Sequence, residues 1–177
     1  MIFHKTEIEG LFLTELEPFS DERGFFARAF CEKLFAEKGA TFSINQINLS
    51  GNISKGTLRG LHYQTEPKSD PKVVRCIRGA VWDVVVDLRK GSPSYLKWFG
   101  AELSADNRKA FVVPGGCAHG FLTLKDDSEL LYLMGEEFVP ELAGGHRWND
   151  PAFGINWPTE PKIITDRDAN YPDYVNS

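Results

Sequence analysis

Cysteine is scarce in this chain: among 177 residues there are three, Cys31, Cys76 and Cys117, far apart and without a CxxC pair. An odd, scattered set gives no disulfide framework, and the three read as reduced core thiols. Long apolar runs are missing as well. No stretch approaches the ~20 residues needed to cross a bilayer, and the opening MIFHKTEIEG lacks the apolar segment of a secretory signal. The expectation is a cytoplasmic protein with no membrane partner. Positive charge is not in excess either: 20 Lys and Arg stand against 25 Asp and Glu, a formal net charge of −5. Nucleic acid is therefore excluded as a partner, because its backbone requires a concentrated basic face. Any anionic ligand has to be met by local arginines.

Repeats, low-complexity tracts and Ser/Gly linkers are absent, so residues 1–177 are expected to form a single domain. A composition of 42% hydrophobic and 12% aromatic residues is sufficient for one packed core. Helix signals are few. The best is Cys31 to Lys38, with Leu34 and Phe35 on one side and Gly39 as the stop.

What the sequence has in quantity is short β-rich runs between turn residues. Lys72 to Ile77 and Ala80 to Leu88, joined at Arg78-Gly79, read as a central hairpin. Side chains alternate across a strand, so Lys72, Val74 and Cys76 share one face. In the second run Trp82, Val84, Val86 and Leu88 share one face, and Val81, Asp83, Val85 and Asp87 the other. Two acids within so apolar a strand indicate a sheet face that looks into a polar cavity. A mainly β, cupin-type jelly-roll barrel with one or two short helices supplies such a cavity. Ser104 to Asn107 is a polar turn, Phe111 to Val113 ends at Pro114-Gly115-Gly116, and further strands are expected from Phe121 to Leu124 and Glu129 to Met134. From about residue 140 onward the chain looks irregular, and Trp148 and Trp157 suit a tail wrapped over the barrel.

Four histidines can be considered singly. His4 and His146 have no second catalytic-type group nearby and read as surface or structural. His62 and His119 each sit beside glycine at a turn into a β run, in LRGLHYQ (58–64) and PGGCAHGF (114–121). Together with Lys72, Tyr132 and the late acids they form a set that can move protons.

These two segments, with DERGFF (21–26), KVVRC (72–76), DVVVDLR (83–89), Ser92-Pro93, Leu131-Tyr132 and Trp148-Asn149-Asp150, resemble the dTDP-4-dehydrorhamnose 3,5-epimerase family, in the family's order and over nearly the whole chain. The resemblance implies a cupin-type homodimer acting without cofactor or metal on a 4-keto-6-deoxyhexose carried by a nucleoside diphosphate. Inversion at C3 or C5 of such a sugar removes the proton next to the ketone, which needs one base and one acid on opposite faces. The resemblance gives His62 the role of base, with Asp168 on its other ring nitrogen and Asp166 as the near competitor for that place. It gives Lys72 the enolate oxygen, with Asp83 across the hairpin expected to hold its ammonium, and gives Tyr132 the returning proton. Arg23 and Arg59 match the family's substrate-binding arginines, which suit a diphosphate because a guanidinium binds its oxygens in pairs. Gln46, Asn48 and His119 match further substrate contacts, Phe19 and Phe26 border the nucleotide, and Arg167 joins the substrate-binding set.

The chain also departs from the family's best-characterised branch. Phe138 stands where a tyrosine stacks on thymine, and Arg28 and Ala143 each stand where a glutamate lies near the nucleotide. These changes leave open the base, the sugar, and whether one or both carbons are inverted. Two rivals remain at this stage. One is a metal-dependent cupin built on His62, Gln64 and His119, although a cupin motif usually offers His-x-His where this chain has Gln64. The other is a non-catalytic sugar-binding jelly roll, which gives no reason for a base, a lysine and a tyrosine to occur together.

Overall fold

The structure is a computed structural model that describes residues 1–40 and 43–175. Two antiparallel sheets face each other. The first runs in the order β1 (Ile2–Lys5), β2 (Phe12–Glu15), β10 (Ala110–Val113), β7 (Lys72–Arg78), β12 (Ser128–Met134) and β5 (Gln46–Asn52). The second runs β13 (Ala143–Gly145), β6 (Leu58–Gln64), β11 (Cys117–Thr123), β8 (Ala80–Asp87) and β9 (Trp98–Ser104). A hairpin of β3 (Phe19–Asp21) and β4 (Gly24–Phe26) pairs only with itself among the described strands. The mainly β, cupin-type jelly-roll expectation holds. No helix among the described residues is long and apolar enough to cross a membrane.

Strand alternation sorts the apolar residues into three layers. Val74 and Cys76 of β7, Val81 and Val85 of β8, Phe111 of β10, Phe121 of β11 and Leu130 of β12 fill the space between the sheets. The opposite residues of β7 and β10, Val73 and Val112, turn outward under Phe12 and Phe35. Phe35 lies on α1 (Glu32–Glu37), which stops at Gly39 with φ of +82°, as the sequence indicated. Phe35 is the anchor, 1% exposed with Phe3 and Phe30 against its ring, whereas Leu34 is only half-buried. The outer residues of β8, Val84 and Val86, lie under Phe153, Ile155, Trp157 and Tyr174 of the C-terminal segment. Trp157 is tied there by its indole N–H, which donates to the Trp148 carbonyl at 2.8 Å.

Two expectations need correction. β7 and β8 are consecutive but not paired: β7 lies between β10 and β12, and β8 between β11 and β9. At Arg78-Gly79 the chain crosses from one sheet to the other, with Gly79 at φ +71° and no room for a Cβ, which would lie 2.4 Å from Ser128 Oγ. The same glycine turn would serve a hairpin, so local sequence does not distinguish the two. The strand expected from Phe121 begins at Cys117 instead, directly after Gly116 at φ +79°. Cys76 and Cys117 are buried free thiols, while Cys31 is only half-buried at the start of α1.

Candidate active site

The space between the sheets opens at one end into a cavity of ≈ 320 Å³. His62 on β6 and His119 on β11 are direct partners in the antiparallel register, so their side chains enter the cavity side by side. Glycine makes this pairing possible. The backbones of β6 and β11 approach so closely that a Cβ on Gly60 would lie 2.5 Å from Gly120 Cα. That accounts for a glycine beside each histidine in LRGLH and HGF.

Each imidazole is held by a buried carboxylate. His62 Nε2 lies 2.8 Å from Asp168 Oδ1, and Asp168 Oδ2 accepts the Gly60 N–H at 3.1 Å. Asp168 sits in the single turn α2 (Asp166–Ala169), whose preceding Thr165 accepts the Asp168 N–H through its hydroxyl. Burial pushes the Asp168 carboxyl up, but the His62 and Gly60 hydrogen bonds outweigh it and hold it below the usual range. Asp166 lies in the same turn and is exposed. His119 Nε2 lies 2.8 Å from Asp83 Oδ1, and burial raises the Asp83 carboxyl despite the nearby His119 and Lys72.

The opposite sheet supplies Tyr132 and Lys72. Tyr132 projects from β12, meeting the His119 ring edge-on at 5.9 Å, and burial together with the Asp83 charge pushes its hydroxyl well above its ordinary value. Lys72 lies at the cavity end of β7 with its side chain 6% exposed. Its ammonium pairs with Asp70 Oδ2 at 2.6 Å rather than with Asp83, because Asp83 is taken by His119 and no β7–β8 hairpin sets it opposite Lys72. Asp70 was missed by sequence reasoning. An acid two positions before a lysine that enters a buried strand shares its face, and that spacing was the available signal.

Asn48, Arg59, Arg167, Phe138 and Ala143 also line the cavity. Arg59 is steadied by Asn52, whose Oδ1 accepts its Nε–H at 2.8 Å, and Arg167 donates through Nε to the Tyr171 hydroxyl at 2.6 Å. Gln46 is exposed at the start of β5, two residues before Asn48, and stays outside the lining. Arg23, Phe19, Phe26 and Arg28 are not brought to the cavity by this chain. Arg23 is spent on its own hairpin, with Nη2 2.6 Å from Asp21 Oδ2, and Arg28 lies with Phe19 and Phe26 in a separate surface cleft. The reason is topological, since β3 and β4 join neither sheet.

Of the metal-cupin donor set, Gln64 is committed elsewhere: its side-chain amide is bonded to backbone groups of Lys68, Glu137 and Val139, while each histidine Nε2 faces a carboxylate. No cluster of three or more His, Cys, Asp or Glu set to hold a metal occurs among the described residues. His146 is packed among Tyr63, Phe153 and Tyr174, and burial lowers its pKa.

A cupin-type barrel whose polar mouth holds two carboxylate-backed histidines, a lysine and a tyrosine is built as a small-molecule enzyme site. The sequence profile of dTDP-4-dehydrorhamnose 3,5-epimerase matches residues 5–176. A dTDP-4-dehydrorhamnose 3,5-epimerase of Shigella flexneri is 41% identical over 174 residues, covering 98% of this chain and 96% of that one. Among solved structures, the dTDP-4-dehydrorhamnose 3,5-epimerase of Bacillus anthracis, with TDP and PPi bound, superposes with a TM-score of 0.93 at 39% identity over 98% of this chain and 99% of that chain. ChmJ, a 3′-monoepimerase of Streptomyces bikiniensis in complex with dTDP-quinovose, superposes with a TM-score of 0.88 at 35% identity over 96% and 86% of the two chains. The chain belongs to the dTDP-4-dehydrorhamnose 3,5-epimerase family of carbohydrate epimerases.

Proposed function

We propose that this chain inverts C3 and C5 of dTDP-4-dehydro-6-deoxy-D-glucose, giving dTDP-4-dehydro-L-rhamnose. The observation that carries the reading is His62 on one sheet, backed by Asp168 of α2, with Tyr132 on the other sheet across the cavity. With Nε2 donating to Asp168, the lone pair of His62 lies on Nδ1, which takes the proton next to the ketone. Asp168 then stabilises the imidazolium that forms. The electrons pass to the ketone oxygen, and the Lys72 ammonium meets the resulting enolate. A preorganised donor of this kind is typically worth about 3–4 kcal/mol in the transition state. Tyr132 returns a proton from the opposite face, and a hydroxyl held above its ordinary pKa remains protonated and able to do so. Arg59 and Arg167 meet the diphosphate, and Phe138 stacks on the base.

The test is incubation with this substrate in deuterated water, followed by NMR at C3 and C5. Deuterium at both carbons with inversion at both is the expected result. Deuterium confined to C3 would make the chain a single-site epimerase, the activity that the name of ChmJ states for that protein.

A homodimer completes the substrate site in this reading. Phe19 and Phe26 are 80% and 77% exposed, and Ile47 and Leu49 on the edge strand β5 are 62% and 69% exposed. Single surface apolar residues need no explanation, but an apolar sheet edge together with a detached phenylalanine hairpin suits a second copy. The hairpin would carry Arg23, Phe19, Phe26 and Arg28 to the neighbour's cavity. Light scattering should give twice the chain mass, and inactive Arg23→Ala and His62→Asn chains should regain activity when mixed. A monomer at working concentration would refute the shared site.

A further inference from the structure

We infer that Gln64 is a positioning residue for nucleotide binding that acts by clamping both peptide groups flanking Phe138. This rests on the proposed role of Phe138 as the base-stacking residue. Gln64 lies on β6 two positions after His62, is 3% exposed, and uses both ends of its side-chain amide. Nε2 donates to the Glu137 carbonyl at 3.0 Å and to the Lys68 carbonyl, and Oε1 accepts the Val139 N–H at 2.8 Å. One side chain therefore holds the backbone immediately before and immediately after Phe138.

Phe138 needs such support. The residue is 65% exposed, lines the cavity, and belongs to none of the three apolar clusters, so packing does not fix it. An exposed ring that stacks on a ligand binds better when its backbone is already held in the bound position, because less freedom is lost on binding. The clamp also requires glutamine chemically. One donor end and one acceptor end at the reach of a Gln side chain are needed together, and a glutamate of the same shape would turn a second acceptor toward two carbonyls. β13 and Lys68, which pairs with Glu136 at 2.9 Å and with the Glu137 carboxylate at 3.5 Å, brace the same loop, but neither bonds the two peptide groups that flank Phe138.

The test is a double-mutant cycle read by calorimetry with dTDP and by steady-state kinetics. Phe138→Ala should weaken dTDP binding about tenfold and raise KM similarly. Gln64→Glu, and Gln64→Met, which keeps length and burial without the polar pairs, should do the same while kcat stays within about threefold of the wild type. Combined with Phe138→Ala, either Gln64 change should add nothing. Additive losses, or a Gln64 variant whose kcat falls as much as its affinity, would overturn the clamp in favour of a general structural role. Gln64 variants that bind dTDP like the wild type while Phe138→Ala does not would overturn the clamp alone. Unchanged binding by Phe138→Ala would instead overturn the stacking role on which it rests.

Discussion

Asp168 reaches His62 from 106 residues further along the chain and places a carboxylate oxygen 2.8 Å from its Nε2. The carboxylate is in turn anchored by the Gly60 N–H and the Asp168 backbone by the Thr165 cap, so the ring's partner is fixed from two separate segments. His62→Asn should therefore reduce deuterium incorporation at both C3 and C5, by roughly 10²–10⁴-fold. Asp168→Ala should reduce kcat strongly with KM nearly unchanged, because orienting the base matters mainly in the transition state. Asp166→Ala, one exposed position in the same short turn, should be near wild type. Incorporation at the wild-type rate in His62→Asn would remove that residue as the base.

Tyr132 stands on the sheet opposite His62, so removing its hydroxyl should separate the two proton transfers. In Tyr132→Phe, His62 still takes the proton, but the enolate is reprotonated mainly from the face it lost it from. Exchange with solvent should then exceed inversion, measured on the same sample by NMR. Parallel loss of both would show that Tyr132 serves binding or packing and not proton return.

The alternation of Val81, Asp83, Val85 and Asp87 made the polar inner face of β8 legible, because side-chain direction in a strand is a local property. The partners of those acids were not legible. Asp83 meets His119 and Lys72 meets Asp70, and both pairings follow from which strands are neighbours. Strand neighbours are set by long-range packing: Gly79 fits a hairpin turn as well as the sheet crossing it actually makes. The candidate site was legible through motifs, which brought His62, His119, Lys72, Tyr132 and Asp168 into one expectation. Those motifs do not record where the β3–β4 hairpin docks, and Arg23, Arg28, Phe19 and Phe26 lie away from the cavity.

Asp87 predicts a specific acid sensitivity. Burial pushes its carboxyl up, but the Arg89 guanidinium, the Ser92 and Ser94 hydroxyls and the Arg89 N–H outweigh burial and bring it down to about 2. A carboxyl with a folded pKa below its unfolded value of 3.8 contributes stability that is complete above that value and is lost as pH falls toward about 2. The linked contribution at neutral pH is about 2 kcal/mol. Asp87→Asn should lose at least that much in urea unfolding at pH 7, and its stability should fall less steeply than the wild type's between pH 4 and 2. An unchanged slope over that window would place the acid sensitivity elsewhere.

The last expectation concerns the base. Phe138 and Ala143 both line the cavity, and neither carries a polar group on its side chain. A phenyl ring stacks on any pyrimidine, and without a hydroxyl at 138 or an acceptor at 143 these positions add no hydrogen bond that reads the base. Thymine and uracil differ by one methyl group, and a methyl recognised by packing alone is worth roughly 1–3 kcal/mol. Arg28 reverses a charge in the separate cleft it shares with Phe19 and Phe26, which the proposed shared site would bring to the neighbour's nucleotide. Selectivity should therefore be loose. With the same 4-keto-6-deoxyglucose on thymidine, deoxyuridine, deoxycytidine and deoxyguanosine diphosphates, kcat/KM for the thymidine form should exceed that for the deoxyuridine form by well under a hundredfold. The purine form should fall further behind, because a two-ring base overfills a site shaped for one. Phe138→Tyr should sharpen the preference for thymidine if a hydroxyl at that position reads the base, and leave it unchanged if stacking alone operates there. A thymidine preference over deoxyuridine of about a thousandfold or more, roughly 4 kcal/mol in transition-state binding and beyond what a methyl contact supplies, would require a reading group that positions 138 and 143 do not supply.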